Sequence, residues 1–447
     1  MVNVSLRCKL NILGGIMKKM MFVLMLCIIA SPLVLFAAGT KDAKATGPIE
    51  LTIWTHEDVN RKAIEEKYIK EFEAQNPNIK VKYVVYPSTE IHKVIQAGFA
   101  AKNGPDIFNL EIQKAYPFLA EGFVAPVDLA SAGYKSHNEI LNSYMAGMLD
   151  PVTVDGKVYG LPLELTNWAI YLNKKIFRDA GLDANKDYPK TWEEVMTVSE
   201  KIVKRDGSII TRRGFDFRYG DYLISWLPMV EQLGGKLISD DGKTAIVNKD
   251  AWVKVLQYMA DFGPNGKNLG SPTYTAARKV FDNDNNEIAM HLSGLYQEQR
   301  MASANPDFFN SDDWMVIPYP TFAGGKQVPN TYYGHYYMVN SQVSKERQQA
   351  AWKLVSFMLS HGEEYLEKVA LVQPTNTLFN SATFKNMPFS KVFKDELEIA
   401  PVVYYGEASQ QINDLIKEAI ESVMLNKVAP ARAVDTLQTK VQEVLDN

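Results

Sequence analysis

From Glu50 to Leu110 the hydrophobic period of the chain switches between about two residues and about 3.6, and this alternation constrains the fold more than any other feature. Glu50-Leu51-Thr52-Ile53-Trp54 reads as a strand. Ile64, Tyr68, Ile69 and Phe72 share one face of a helix predicted over 60–75, which Asn76-Pro77-Asn78 stops. Residues 79–86 alternate like a second strand. A helix follows over 90–102, ended by Asn103-Gly104, and Pro105 to Leu110 forms a third short strand. Strand, helix, strand, helix, strand with short loops predicts a parallel sheet of the α/β class. Ligands of such sheets bind beyond the carboxyl ends of the strands. Trp54 to Asp58 and Asn109 to Glu111 are therefore the loops in which to look for a site.

The pattern resumes later. Tyr159-Gly160-Leu161-Pro162 leads to an apolar strand over 168–172. Helices are predicted over 192–205, 223–233, 249–262 and 275–282, and strands over 288–291, 313–317 and 333–339. Amphipathic helices cover 346–359, 363–370, 409–425 and 430–445. Pro430 is tolerated in a first turn because its missing N–H would have no partner there. No short-period repeat or low-complexity linker is present, and the two α/β regions read as one type of domain met twice.

Ahead of the first strand, Lys18-Lys19, an apolar run from Met20 to Phe36, and the small residues Ala37-Ala38-Gly39 have the layout of a secretory signal peptide. The run is short for a membrane span of ~20 residues, so cleavage is expected rather than anchoring. Cleavage after Gly39 puts Ala37 and Gly39 at the small-residue positions, whereas cleavage after Ala38 would put Phe36 there. Cys27 follows Met25-Leu26 where lipidation wants a small residue, which argues against a lipoprotein. Met17 reads as the natural start and residues 1–16 as an upstream extension; the mass of an unprocessed product beginning at Met1 would overturn this. About 400 residues remain after the leader, which suits two domains better than one core. A mature chain of this kind is expected in the periplasm.

The formal charge of −4 gives no electrostatic reason to expect nucleic acid or an anionic membrane as partner. Both cysteines, Cys8 and Cys27, lie in the segment expected to be lost, which excludes a disulfide, a cysteine nucleophile or a thiolate metal site in the mature chain. There is no Gly-x-Ser-x-Gly elbow, His-Glu-x-x-His helix or Gly-Lys-Ser phosphate loop. Asp282-Asn283-Asp284-Asn285-Asn286-Glu287 looks like a calcium loop but lacks the glycine and distant glutamate of an EF-hand, so it reads as a solvated turn. No cofactor and no metal are expected.

Several segments in order resemble the extracellular solute-binding proteins of carbohydrate ABC importers, the family of the maltose-binding protein. They are LTIWTHEDVN, IKEFEAQNPNIKVKYVVY, NGPDIFNLEIQKAYPFLAEGFVAPVDL, DGKVYGLPLELTNWAIYLNKKIFRDAGLD with YPKTWEEV, Leu233-Gly234-Gly235, Glu287 to Tyr296, and Ala351 to Met358. The resemblance spans essentially the whole mature chain. It implies a two-lobed periplasmic-binding-protein fold with a hinge of crossing strands and the ligand in the cleft between lobes. The crossings are expected over 162–166, over 334–340 and before Pro401. Residues 49–162 with 335–392 would form the N-terminal lobe, and 163–334 with 393–447 the C-terminal lobe, closing about the hinge.

Sugars present hydroxyls at the ring edge and C–H patches on the ring faces, so a sugar site needs flat aromatics and planar hydrogen-bonding groups. The carboxyl ends of the first strands offer His56, Glu57, Asp58 and Glu111, with helix capping the competing role for Asp58. By the resemblance, Glu164 and Thr166 stand at the first crossing. His335 stands at the second, where the family's glycine lets a ligand approach the backbone. Tyr296 takes the place of the aromatic in the family's Gly-x-Trp pattern. Tyr222 and Trp226 precede Leu233-Gly234-Gly235, where the family places stacking aromatics, although core packing competes for Trp226. Tyr404 and Tyr405 follow the third crossing, where the family again offers an aromatic.

The resemblance implies a monomeric, non-enzymatic receptor that binds a sugar or oligosaccharide and delivers it to ABC permease subunits. A non-sugar solute on the same fold, a glycerol phosphodiester or a polyamine, is the alternative. Clustered arginines or lysines would favour the first of these and the cleft carboxylates the second. A secreted glycoside hydrolase, which needs two carboxyls across the scissile bond, is the remote third.

Overall fold

The computed structural model describes residues 47–446 apart from 89, 218–221, 248, 275, 331–332, 388–389 and 401–407. The leader, Tyr404 and Tyr405 lie outside the described residues, and the segment before Pro401, where the third crossing is expected, holds the helix Ser390–Leu397 and a turn. Pro48–Asn447 forms a compact unit by itself.

The first strands and helices form where the periodicity places them. β1 (Ile49–His56) buries Leu51, Ile53 and Thr55 on one side, and α1 (Val59–Gln75) turns Ile64, Tyr68, Ile69 and Phe72 onto the sheet. Asp58 starts α1 by accepting the N–H groups of Asn60 and Arg61, each at 3.1 Å. β2 (Ile79–Tyr86), α2 (Ile91–Ala100) and β3 (Ile107–Glu111) follow. β1 pairs in parallel with β2 and with β3, as expected.

Later strands complete this sheet, and of these Tyr333–Asn340 runs in the opposite sense. β4 (Leu161–Thr166) lies beside Tyr333–Asn340, which in turn pairs with β3 and with the short strand Val124–Ala125, all antiparallel. β4 stays in the first sheet through Thr166, so the lobe boundary expected at 162 falls inside a strand. A helix not expected from the sequence, α3 (Ile112–Ala120), follows β3 directly and carries Pro117.

The second sheet contains β5 (Ala169–Asn173), β6 (Ile209–Asp216), β7 (Ile288–Ser293) and β8 (Trp314–Ile317), so Tyr333–Asn340 is β9 in chain order. The strand order is β8-β5-β7-β6, with Lys204–Asp206 at the far edge. Only β6 and β7 are parallel; β5 runs against both neighbours. The two α/β regions are therefore built on different topologies rather than one type met twice.

The helices at 345–359 and 362–369 pack with the first sheet, while those at 409–425 and 430–445 enter a second core with Trp192, Trp226 and Trp252. Among the described residues no helix is long and apolar enough to cross a membrane.

One buried polar network ties the first lobe together. Glu65 of α1 accepts the hydroxyls of Tyr83 at 2.5 Å, Tyr337 at 2.6 Å and Tyr365 at 3.0 Å. Arg61 lies one turn earlier, its Nε 3.7 Å from the same carboxylate. Its Nη2 donates to Thr55 Oγ1 at 2.8 Å and to the carbonyl of His56. α1, β2, β9 and the helix at 362–369 are gathered on one carboxylate, and Arg61 beside it ties in the end of β1.

Candidate functional site

β9 brings distant residues into register. His335 lies opposite Glu111 of β3 on one side and opposite Glu164 of β4 on the other. His335 Nδ1 donates to Glu164 Oε1 at 2.9 Å, and its Nε2 is 3.7 Å from Glu111 Oε1. Glu111 also pairs with Lys114 at 3.1 Å. His56, at the carboxyl end of β1, stacks on His335 with ring centres 4.2 Å apart and 28° between planes. Its Nδ1 is 2.8 Å from Asn109 Oδ1. Withdrawal from water holds the His56 imidazole well below its usual range, with Arg61 and His335 adding to the effect. His56 is thus neutral at pH 7, and Nδ1–H bonding to Asn109 leaves Nε2 as an acceptor.

Beside this strip, Glu57, Asp58 and Asn60 face Tyr296 and Arg300 across a cleft of about 290 Å³. The first three belong to the first lobe. Tyr296 and Arg300 come from the start of α4 (Gln297–Ala304), just beyond β7. The Arg300 guanidinium lies over the Tyr296 ring at 4.9 Å. α4 reaches the first lobe again where Gln299 donates to the carbonyl of Glu367 at 2.8 Å. The cleft is therefore walled by both lobes.

Of the expected site residues, His56, Glu111, Glu164 and His335 meet in one strip, and Glu57, Asp58 and Tyr296 line the adjoining cleft. Asp58 does so while capping α1. Trp226 is wholly buried in the second core, stacked on Phe217 at 5.3 Å, so its ring has no face open to a ligand. Core packing wins at that position because the helix Tyr222–Gln232 buries this side against the sheet. The side chains of Tyr222 and Thr166 lie outside the described residues, as do Tyr404 and Tyr405. Gly334 makes room for the backbone of β4, since a Cβ there would stand 2.1 Å from the carbonyl oxygen of Glu164. The glycine thus serves the strand pairing instead of the approach of a ligand. Asn109 and Arg300 were not foreseen. Asn109 stood in a loop already marked for attention, whereas Arg300 belongs to a helix without a clear sequence signal.

His56, Glu164 and His335 each bring a potential metal-ligating atom within 4.8 Å of the others. The stack works against a shared ion. Imidazole lone pairs lie in the ring plane, so two nearly parallel rings direct them side by side instead of toward one point. The same atoms suit hydroxyl groups, which take one donor and one acceptor from separate partners.

Glu298, in the first turn of α4, is buried, and burial pushes its carboxyl up to about 8 from an ordinary 4.5. The folded protein then holds a proton that the unfolded chain releases. This contribution to stability is complete below pH 4.5 and is lost as the pH rises through about 8. Glu298→Gln keeps a neutral group, so it is expected to gain roughly 4 kcal/mol over the native protein at pH 8 and nearly nothing at pH 4.5. Urea denaturation at both pH values checks this; an equal difference at the two would rule it out.

Comparison with known proteins places the chain in a wider group. The sequence profile described as "Bacterial extracellular solute-binding protein" matches residues 57–365. A Brucella abortus protein described as a binding protein is 23% identical over 397 residues, covering 85% of this chain and 89% of the relative. An arabinooligosaccharide-binding protein of Halalkalibacterium halodurans is 22% identical over 292 residues, covering 62% of this chain and 60% of the relative. In fold, the chain is similar to an ABC transporter solute-binding protein of Thermotoga lettingae crystallised with α-D-tagatose. That likeness has a TM-score of 0.76 at 20% identity, over 89% of this chain and 100% of the other.

Proposed function

Because the chain belongs to the bacterial extracellular solute-binding protein family, we propose that it captures a sugar or oligosaccharide between its lobes and delivers it to the permease of an ABC importer. The observation that carries this reading is the cleft in which Tyr296 of one lobe faces Glu57 and Asp58 of the other, beside the His56–His335 strip. Tyr296 is largely buried with Arg300 over one ring face, so it would meet the sugar's C–H groups with the part that lines the cleft, while the carboxylates and imidazoles offer planar partners for hydroxyls. We take the protein to be a periplasmic monomer without turnover. Its lobes comprise 49–166 with 335–392, and 167–334 with 393–447, the first boundary lying at the end of β4 instead of at 162.

A ligand touching both walls binds the closed form more tightly than the open one and shifts the population toward it. The permease would read that closed arrangement.

The test is a thermal-shift panel on the mature protein with mono- and oligosaccharides beside glycerol phosphodiesters and polyamines. A ligand at 100 times its Kd adds about 2.7 kcal/mol, enough to move Tm measurably. For the sugar that binds, Tyr296→Ala is expected to weaken affinity at least ~5-fold, since one stacking partner is worth about 1 kcal/mol, and to lower Tm as well, because Tyr296 is buried in the first core. A phosphodiester or polyamine response with sugar silence would replace the sugar reading.

A further inference from the structure

We infer that the Glu396 carboxyl is the pin of the interlobe hinge: it fastens the helix before the last passage between the lobes to residues at the other two passages, and so restrains how the lobes swing. This rests on the reading above of two lobes that close.

The chain leaves the first sheet at Thr166, the end of β4, and enters the second at Ala169, the start of β5. It returns between Ile317, the end of β8, and Tyr333, the start of β9. The last passage lies between the helix Ser390–Leu397, which packs on the helix Ala382–Asn386 ahead of it, and the helix Ser409–Leu425 of the second core. Hinge motion is absorbed by a few residues at the ends of such elements.

Glu396 reaches all three passages. It sits in the last turn of Ser390–Leu397 and is buried. Its Oε1 accepts the backbone N–H of Tyr319, two residues past β8, at 2.6 Å. Its Oε2 accepts from Nδ2 of Asn167, the residue next after β4, at 3.4 Å. Asn330, close before β9, accepts the backbone N–H of Trp168 at 3.3 Å, and its side chain bonds that of Tyr319. One carboxyl and one amide thus knot the ends of β4 and β8 and the approach to β9 to the helix.

The pin works in its neutral form. Burial pushes the carboxyl up to about 8 from an ordinary 4.5, with Asp395 of the same helix adding repulsion. No lysine or arginine among the described residues offsets that burial. The other groups around it are the neutral amides of Asn167 and Asn330 and the Tyr319 phenol, which burial keeps protonated. Below about pH 8 the neutral carboxyl stays inside and the knot holds. Above it the charge gains by reaching water, so arrangements of the hinge that expose it gain population.

Nitroxide labels on Ala63→Cys of α1 and Ser208→Cys just ahead of β6 test this. Both positions are exposed, one on each lobe, and the chain from Thr40 onward has no other cysteine. Electron spin resonance then reads the interlobe distance of the full mature protein, with no ligand added. The native hinge should give a narrow distribution at about pH 6.5 and one at least ~2-fold broader at about pH 9.5. Glu396→Gln keeps a neutral acceptor and should stay narrow at both; Glu396→Ala should be broad at both. Glu298 also titrates near 8, and Glu298→Gln should keep the native response. A pH response that survives in Glu396→Gln, or an alanine variant as narrow as the native protein, would overturn the pin. Where the alanine variant does not fold, the comparison of native and glutamine forms decides alone. Because no sugar enters, silence of every sugar in the thermal-shift panel would remove the sugar reading and leave this result standing.

Discussion

Replacing Glu65 by alanine is expected to destabilise the protein by about 3–5 kcal/mol. The carboxylate has three tyrosine hydroxyls as donors within 3.0 Å, and Arg61 is buried beside it. Removing it leaves a guanidinium inside the lobe without its counter-charge and three hydroxyls without their acceptor. Each is expensive, because a buried polar group without a partner loses its water and gains nothing back. Glu65→Gln should cost less, since the amide oxygen still accepts from the tyrosines while the charge is lost. Urea denaturation at pH 7 measures both, and a loss below ~1 kcal/mol for the alanine variant would show that the network contributes little. Arg61 also holds the His56 carbonyl, so ligand affinity should fall along with stability.

Gly334→Ala is expected to have the larger effect on binding. The added Cβ would stand 2.1 Å from the Glu164 carbonyl oxygen and 2.2 Å from Leu165 Cδ2. Backbone cannot swing aside as a side chain can, so β9 and β4 must separate where His335 meets Glu164. Overpacking of this kind costs about 1–3 kcal/mol, and here it also parts two site residues. Affinity is expected to fall at least ~100-fold, about 2.7 kcal/mol. Gly362→Ala is the control: its Cβ meets only Gln373 Oε1, at 2.8 Å, the end of a flexible side chain. Equal affinity for the two variants would discount the crowding argument.

The first three strands and their helices were legible because each kept its own period over many residues. β6 was not. Its sequence, Ile-Ile-Thr-Arg-Arg-Gly-Phe-Asp, carries two arginines and a glycine where a strand signal should be apolar. Arg212 is buried nonetheless, donating to the Asn286 carbonyl at 3.0 Å and to Asp179 at 3.3 Å. Gly214 lies where a Cβ would stand 2.3 Å from Ser199 Cα, so the helix Trp192–Ile202 can approach only a bare backbone. These are tertiary reasons that no local period reveals. α3 was hidden in the same way by Pro117.

The site divides along the same line. His56 and Glu111 follow from the rule that ligands gather at strand ends, and Glu164, His335 and Tyr296 came with the family resemblance. That His335 is flanked by two glutamates depends on β9 lying between β3 and β4, a pairing across more than half the chain. Trp226 shows the opposite failure. An aromatic before a glycine pair looks the same in sequence whether it faces a ligand or a core.

The place of β9 also governs the order in which the molecule can assemble. It pairs between β3 and β4, yet its residues come after those of the entire second sheet. A chain leaving the ribosome or a secretion channel from its amino end therefore cannot complete the first sheet until Asn340 has emerged. The second core must wait longer, for the helix Pro430–Leu445. Such distant pairings slow folding, because chain entropy must be surrendered before the contacts form. The nascent protein thus stays threadable for most of its synthesis, and both lobes lock only near the end.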